Sequence, residues 1–449
     1  MLIDFKVSNW KSYSEEASLN LVASLERRDR DTLSLAPGFR SLKILPTTAV
    51  YGGNASGKTS LFQALAFLQQ MVTVGVGVGD PVPVTPFRLD AGRAKDESTF
   101  ELTFIAGKTV YQTLLSVDRD GVKSESLWVM RDRHEPELVY SREADSYEFG
   151  EGAFAEPERV SFVAGGTREN QLFLNAAAQQ NVSELAEAYR WFKETLVLVG
   201  VSSQNNSLGL YYTRPNFLEF ASSTLSELDT GIEDISGDEV DVDSLPIPGK
   251  ALSDLSSTVG GPDVGRSMIL RVEPSGDYPN DLYFIDRDDD GLRARRLVTR
   301  HRNSEGKLVP FPLSLESSGS RRLVELMPML FDLLGGFEGS EKVYVVDELD
   351  RCLHSMLTSK LVEGFLGTCG PKSRRQLLFT TQDLLLMDQS VLRRDEMFVA
   401  ERDTRGRSSL VRLDEYEGLR VDLDLLKSYL EGRFGGVPMF RGDIGGGHR

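Results

Sequence analysis

Gly52-Gly53-Asn54-Ala55-Ser56-Gly57-Lys58-Thr59-Ser60 is the stretch whose reading decides the fold. From Gly52 to Thr59 it fits G-x-x-x-x-G-K-[ST] without a mismatch. Thr47 to Tyr51 before it reads as a strand, and Leu61, Phe62, Leu65, Ala66 and Leu68 after it keep helical spacing. In that context the glycines let successive N–H groups turn inward as an anion nest, at the positive end of a helix. Lys58 would bring a point charge to β- and γ-phosphates, and the Thr59 hydroxyl is suited to Mg²⁺.

A phosphate-binding loop of this kind needs a second carboxylate and a group that positions water. Val343-Tyr344-Val345-Val346-Asp347-Glu348 offers both at the C-terminal end of an apolar strand, the edge where ligands sit in parallel sheets. Asp347 is expected to hold the ion through its water shell and Glu348 to polarise the attacking water. Leu315-Glu316-Ser317-Ser318-Gly319-Ser320-Arg321-Arg322 then leads into an apolar helix, Leu323 to Leu334. One serine is enough to cap a helix; here Ser317, Ser318 and Ser320 stand with a glycine and two arginines, the composition of an anion site. A second cradle beside a complete first one implies a dimer in which each chain closes the other's nucleotide.

The rest of the chain sets bounds. It has 449 residues, 27% of them charged, and a formal net charge of -17, so nucleic-acid contact would need a local basic patch. Cys352 and Cys369 are its only two cysteines, too few for a disulfide framework, which suggests a reduced, cytoplasmic setting. No apolar run approaches the roughly 20 residues that span a bilayer. Four scattered histidines argue against a histidine-rich metal site.

Ile3, Phe5 and Val7 alternate with polar residues as in a half-buried strand. Short strands and turns from Thr99 to Arg142 predict an antiparallel lobe, and Glu184 to Leu228 reads as helical. Between Pro215 and Gly249 nine acids occur with no Lys or Arg, the pattern of partly flexible surface. Leu282 to Ile285 and Leu292 to Arg300 predict a hairpin closed by Asp289, Asp290 and Gly291. A calcium loop starting at Asp286 is rejected, because Leu297 stands where the ligating Glu should be. Arg293, Arg295, Arg296, Arg300, His301 and Arg302 form the densest basic stretch, but they split between two strand faces, so pairing with the acidic stretch is favoured over nucleic acid.

The expected fold is α/β: a P-loop NTPase head, a mixed sheet flanked by helices, with an antiparallel β-rich lobe and a helical insertion. Residues 1–180 form the N-terminal part of the head, with the β-rich lobe at about 80–150. Residues 181–305 are a helical lid with acidic linker and hairpin, 306–440 the C-terminal part of the head, and 441–449 a loose tail.

The order of P-loop, serine-glycine turn and Asp-Glu strand resembles the ABC-type ATPase head of SMC and RecF proteins, and Asn9-Trp10-Lys11-Ser12-Tyr13 resembles that group's opening motif. More closely, the chain resembles the short AAA-type ATP-binding proteins of bacterial abortive-infection and phage-defence operons, often encoded beside RloB-type partners. Asp229-Thr230-Gly231-Ile232, Glu316-Ser317-Ser318-Gly319, Asp347-Glu348-Leu349-Asp350-Arg351, Leu353-His354 and Leu392-Arg393-Arg394-Asp395 carry the likeness. So does Tyr429-Leu430-Glu431-Gly432-Arg433-Phe434-Gly435-Gly436-Val437-Pro438.

The resemblance implies an ATP- and Mg²⁺-dependent ATPase that dimerises across its nucleotides, with Ser317, Ser318 and Gly319 acting as the signature in trans. His354 falls at the D-loop; the competing reading is a surface residue at a helix start. A Q-loop residue, a further magnesium contact, would be Gln179 or Gln180, after a Phe173-Leu174 strand signal; either could instead lie on a helix surface. Where the family has a histidine after the last strand, this chain reads Thr380-Thr381-Gln382-Asp383. An amide donates a hydrogen bond but carries no charge, so Gln382 implies slow turnover. The expected role is an ATP-driven switch acting on a separately encoded nuclease, Toprim or RloB-like effector in anti-phage defence; the alternative is a RecF- or SMC-like DNA repair ATPase.

Overall fold

The structure is a computed structural model that describes residues 1–26, 28–200, 211–212, 214–228, 230–245, 268–272, 281–288, 291–335, 340–416 and 424–436. Asp229, Asp289, Asp290, Val437, Pro438 and the tail 441–449 lie outside the described residues. Two compact units divide the chain: one takes residues 1–201, 339–350 and 362–449, the other 202–338 and 351–361.

The first unit carries two large sheets. The six-stranded sheet runs β11 (Leu196–Val199), β17 (Val343–Val346), β18 (Gln376–Thr380), β5 (Thr47–Tyr51), β19 (Met397–Arg402) and β20 (Ser408–Arg412). All neighbours are parallel except the edge strand β20. Every residue of β5, β17 and β18 is buried, which is why these strands read as continuous apolar runs. The helix Lys58–Thr73 follows β5, burying Leu61, Ala64, Leu65, Phe67 and Leu68.

The seven-stranded sheet is antiparallel, in the order β10 (Ser146–Phe149), β9 (Glu137–Glu143), β8 (Val122–Met130), β7 (Thr109–Val117), β6 (Ser98–Ala106), β1 (Leu2–Ser8), β2 (Ala17–Asn20). The expected β-rich lobe is present as β6–β10, and the chain's first strand joins it beside β6. Trp10, Phe67 and Phe100 meet with ring centroids 5.1–5.5 Å apart, packing the helix Lys58–Thr73 against this sheet.

Two local readings need correction. Phe173–Gln179 is a helix, not a strand. The buried Glu125 carboxylate on β8 accepts the Phe173 and Leu174 amides at 2.6 and 3.1 Å, capping a helix start from a distant strand. Leu196–Val199, inside the stretch read as helical, is strand β11, drawn out by parallel pairing with β17.

The second unit holds an antiparallel sheet: β12 (Ile232–Val240), β15 (Gly291–Arg302), β14 (Asp281–Asp288) and β13 (Met268–Val272), with β16 (Leu308–Pro312) also on β15. The predicted hairpin strands are β14 and β15. The acidic stretch, expected to be partly flexible, forms β12 across its described middle, because its carboxylates face arginines of β15. Arg300 meets Asp234 at 2.8 Å and Asp238 at 2.5 Å, and Arg302 meets Glu233 at 3.2 Å. The helices Pro215–Glu227 and Ser318–Leu333 belong to this unit, and the Tyr211 hydroxyl donates to Asp332 at 2.6 Å.

Back in the first unit, Arg393 and Asp395 form an ion pair at 2.6 Å that is almost fully buried. Beside it burial pushes Glu396 up to about 8 from 4.5, while its carboxyl oxygen Oε2 accepts the Arg393 amide at 2.9 Å. The native state therefore keeps a proton that the unfolded chain releases above pH 4.5. Stability is thus expected to fall as pH rises from there toward 8, by at most about 1.4 kcal/mol per unit from this group. Glu396→Gln should flatten that slope in urea denaturation at several pH values; an unchanged slope would refute the assignment.

Candidate functional site

Parallel pairing brings the C-terminal ends of β5, β17 and β18 to one edge of the six-stranded sheet. Gly52 follows β5, Asp347 and Glu348 follow β17, and Thr381 and Gln382 follow β18. In the loop Gly52, Ala55 and Gly57 have φ of 148°, 62° and 116°. Glycine is required at both ends: a Cβ at Gly52 would lie 2.4 Å from the Ala400 carbonyl oxygen, and one at Gly57 2.6 Å from Ser408 Oγ. The curl buries Ser56 Oγ with no protein partner. A buried hydroxyl left without a protein partner, in a loop that curls into a helix start, fits a phosphate oxygen.

Lys58 is 6% exposed, and its Nζ donates to the carbonyls of Gly52 at 2.6 Å and Gly53 at 3.1 Å. Burial lowers its pKa, opposed by the charges of Asp347, Glu348 and Asp350. The lysine is thus set among the acids that follow β17, as phosphate and metal chemistry requires. Asp347 is 2% exposed, whereas Thr59 is open to solvent. Among the described residues no group of three His, Cys, Asp or Glu could hold a metal. One hydroxyl and one carboxylate suit Mg²⁺, which takes few protein ligands and fills its shell with water and phosphate oxygens.

Thr380, the last residue of β18, organises the acids. Its Oγ1 donates to Asp347 Oδ1 at 2.7 Å and accepts the Glu348 amide at 2.8 Å. Glu348 has φ of 53°, a left-handed conformation that turns the chain directly after the strand. The Gln382 amide donates to Asp350 at 3.3 Å, and its side chain reaches Glu348 Oε1 at 3.5 Å, the outer limit of a hydrogen bond. A threonine ending a buried strand beside an Asp-Glu pair was the available signal for Thr380.

The opening motif also has a structural role. Trp10 Nε1 donates to the Ser60 carbonyl at 2.8 Å, Tyr13 OH to that of Gly57 at 3.3 Å, and Ser12 and Ser60 hydroxyls stand 3.3 Å apart. Gln179 donates to Asn175 at 3.2 Å and accepts from Gln171 at 3.5 Å, and Gln180 ends the same helix. These bonds tie Gln179 to its own helix and its approach, and give neither glutamine a link to the loop.

In the second unit Ser317 caps the helix Ser318–Leu333, accepting the Ser320 amide at 3.0 Å, and Ser318 is exposed. A Cβ at Gly319 would lie 2.9 Å from the Cys352 carbonyl oxygen, so the serine-glycine turn packs on the segment leading to His354. His354 Nδ1 accepts the Met356 amide at 3.2 Å, which starts the helix Ser355–Leu366. Glu316 is held from β15, accepting from the Thr299 hydroxyl and standing 2.6 Å from His301 Nε2.

The left-handed backbone at Glu348 is strained for a residue with a Cβ. Glycine adopts this conformation without the Cβ clash. Glu348→Gly should therefore raise unfolding stability by up to about 1 kcal/mol, the relief of about 1–2 kcal/mol of strain less about 0.5–1 kcal/mol of added chain entropy, read from the urea midpoint, although it removes a side chain of the site. A lower midpoint would contradict the strain.

No curated protein matches the chain. Among solved structures, the SMC head domain from Thermotoga maritima is 13% identical, covering 92% of this chain and 98% of that one, with a TM-score of 0.36. An SMC head bound to the C-winged helix domain of ScpA is 12% identical, covering 92% and 99%, with a TM-score of 0.39. The recombination mediator RecF with a bound ATP analogue is 12% identical, covering 92% and 98%, with a TM-score of 0.31. At these scores none of the three carries an inference. The family profile for an AAA domain, described as putative AbiEii toxin, type IV TA system, matches residues 47–388, well over half of the sequence and all of the loop, turn and acidic strand described above. The chain belongs to this AAA domain family.

Proposed function

We propose that this protein is an Mg²⁺-dependent ATPase of ABC type that closes as a dimer around two ATP molecules. The observation that carries this reading is the gathering of Lys58, Asp347, Glu348 and Gln382 behind the phosphate-binding loop at one sheet edge. Residues Gly52 to Ser60 take the phosphates, Lys58 neutralises them, and Thr59 and Asp347 hold the ion, which screens the charge of the β- and γ-phosphate oxygens. Glu348 orients the attacking water, and Gln382 donates to the γ-phosphate. Ser317, Ser318 and Gly319 complete the partner's site, and His354 lies along the seam.

The cellular role we propose is an ATP-dependent switch in bacterial anti-phage defence, controlling a separately encoded nuclease, Toprim or RloB-like effector in the cytoplasm. The family's description as a putative toxin of a type IV toxin-antitoxin system supports that context. The pairing of Arg300 and Arg302 with β12 carboxylates weighs against the RecF- or SMC-like repair alternative, which would favour an open basic surface.

Lys58→Ala should weaken ATP binding by about ten- to hundredfold, the worth of a charged hydrogen-bond donor, as measured by titration calorimetry. Light scattering with ATP should show a dimer that persists in Glu348→Gln; no ATP-dependent change in mass in that variant would sink the dimer. Gln382→His should hydrolyse ATP faster than the parent, because imidazolium adds charge at the γ-phosphate. A rate at or below the parent's would remove Gln382 as the cause of slow turnover.

A further inference from the structure

After β20 and the helix Leu425–Leu430 the described chain ends in Phe434-Gly435-Gly436, and this segment lies on the phosphate-binding loop. The Gly436 carbonyl accepts two hydrogen bonds, from the Gly53 amide at 3.1 Å and from the Tyr429 hydroxyl at 2.8 Å. Tyr416 OH donates to the Phe434 carbonyl at 2.6 Å and fixes the other end. Only glycine fits here. Gly435 and Gly436 have φ of 68° and 72°, and added Cβ atoms would meet the Glu401 carboxylate at 2.2 Å and Val399 Cγ1 at 2.7 Å. The two glycines are thereby pressed between β19 and the loop.

One peptide plane transmits the contact. The Gly52 carbonyl and the Gly53 amide belong to the same rigid unit and point opposite ways. The amide is held by Gly436, and the carbonyl holds Lys58 Nζ at 2.6 Å. Tilting that plane moves both ends together.

We propose that Phe434–Gly436 is a strap that sets the tilt of the Gly52–Gly53 peptide and so positions Lys58, with Tyr429 as the positioning residue. The consequence for nucleotide affinity rests on the ATP-binding reading above; the consequence for the loop backbone does not. Nothing in the P-loop motif requires such a strap, and its residues lie more than 370 positions away along the chain.

The test uses the full chain carrying Tyr429→Phe, which removes only the hydroxyl, and separately Gly436→Ala, which displaces the strap. Amide hydrogen exchange without nucleotide should speed up by about three- to tenfold in the segment holding Gly53 for Tyr429→Phe, and further for Gly436→Ala. β5 and β18 should exchange as in the parent, with an unchanged melting temperature for Tyr429→Phe. ATP affinity should fall in the same order. Parent-like exchange of the loop in both variants would overturn the strap. So would faster exchange spread over the whole sheet in Tyr429→Phe, since that is loss of folding stability. Faster loop exchange with parent-like ATP affinity would overturn the positioning of Lys58. A parent that binds no ATP would instead refute the ATPase reading, and the exchange comparison would still decide the strap.

Discussion

The constraint on which the site depends is the parallel register of β5, β18 and β17. Parallel strands end on the same side, so whatever follows each of them meets at one edge. Val346 pairs with Phe379, and Thr380 pairs with Val50. The phosphate loop, the acidic pair and the glutamine turn therefore emerge at one edge of the sheet, although they are spread over more than 300 residues. Burial of all three strands leaves no alternative face to turn toward solvent, which makes a slip in register costly.

That shared edge is then stiffened from outside the sheet. Trp10, Ser12 and Tyr13 grip the first turn of the helix after the loop, and the ring cluster of Trp10, Phe67 and Phe100 anchors that helix to the antiparallel sheet. Thr380 spans the gap between β18 and the acids with one hydroxyl, used as donor to Asp347 and acceptor from Glu348. Such preorganisation holds the Asp347 carboxylate and the Glu348 backbone in place before any ligand arrives.

The second unit is organised by charge. Acidic β12 and basic β15 neutralise one another across the sheet, so a stretch that looks like a solvated linker is an ordered strand. The same β15 supplies Thr299 and His301 to Glu316, immediately before the serine-glycine turn. The sheet and the helix start of this unit thus share one buried carboxylate.

The sequence by itself determined the α/β class, the loop from Gly52 to Ser60, the acidic strand end and the serine-glycine helix start. Each is a local signal, in which backbone freedom, hydrophobic run and capping chemistry lie within a few residues. It took a Q-loop candidate, Gln179 or Gln180, from a strand signal where Phe173–Gln179 is a helix, and it favoured pairing of the acidic stretch with the basic one without showing the ordered strand β12. Their conformations are fixed by distant partners, Glu125 for the one and Arg300 for the other. Only the tertiary structure could assign Thr380, the Trp10 grip and the Gly436 contact. Each is a hydrogen bond between residues far apart in the chain, and such a bond leaves no periodicity in the sequence on either side of it.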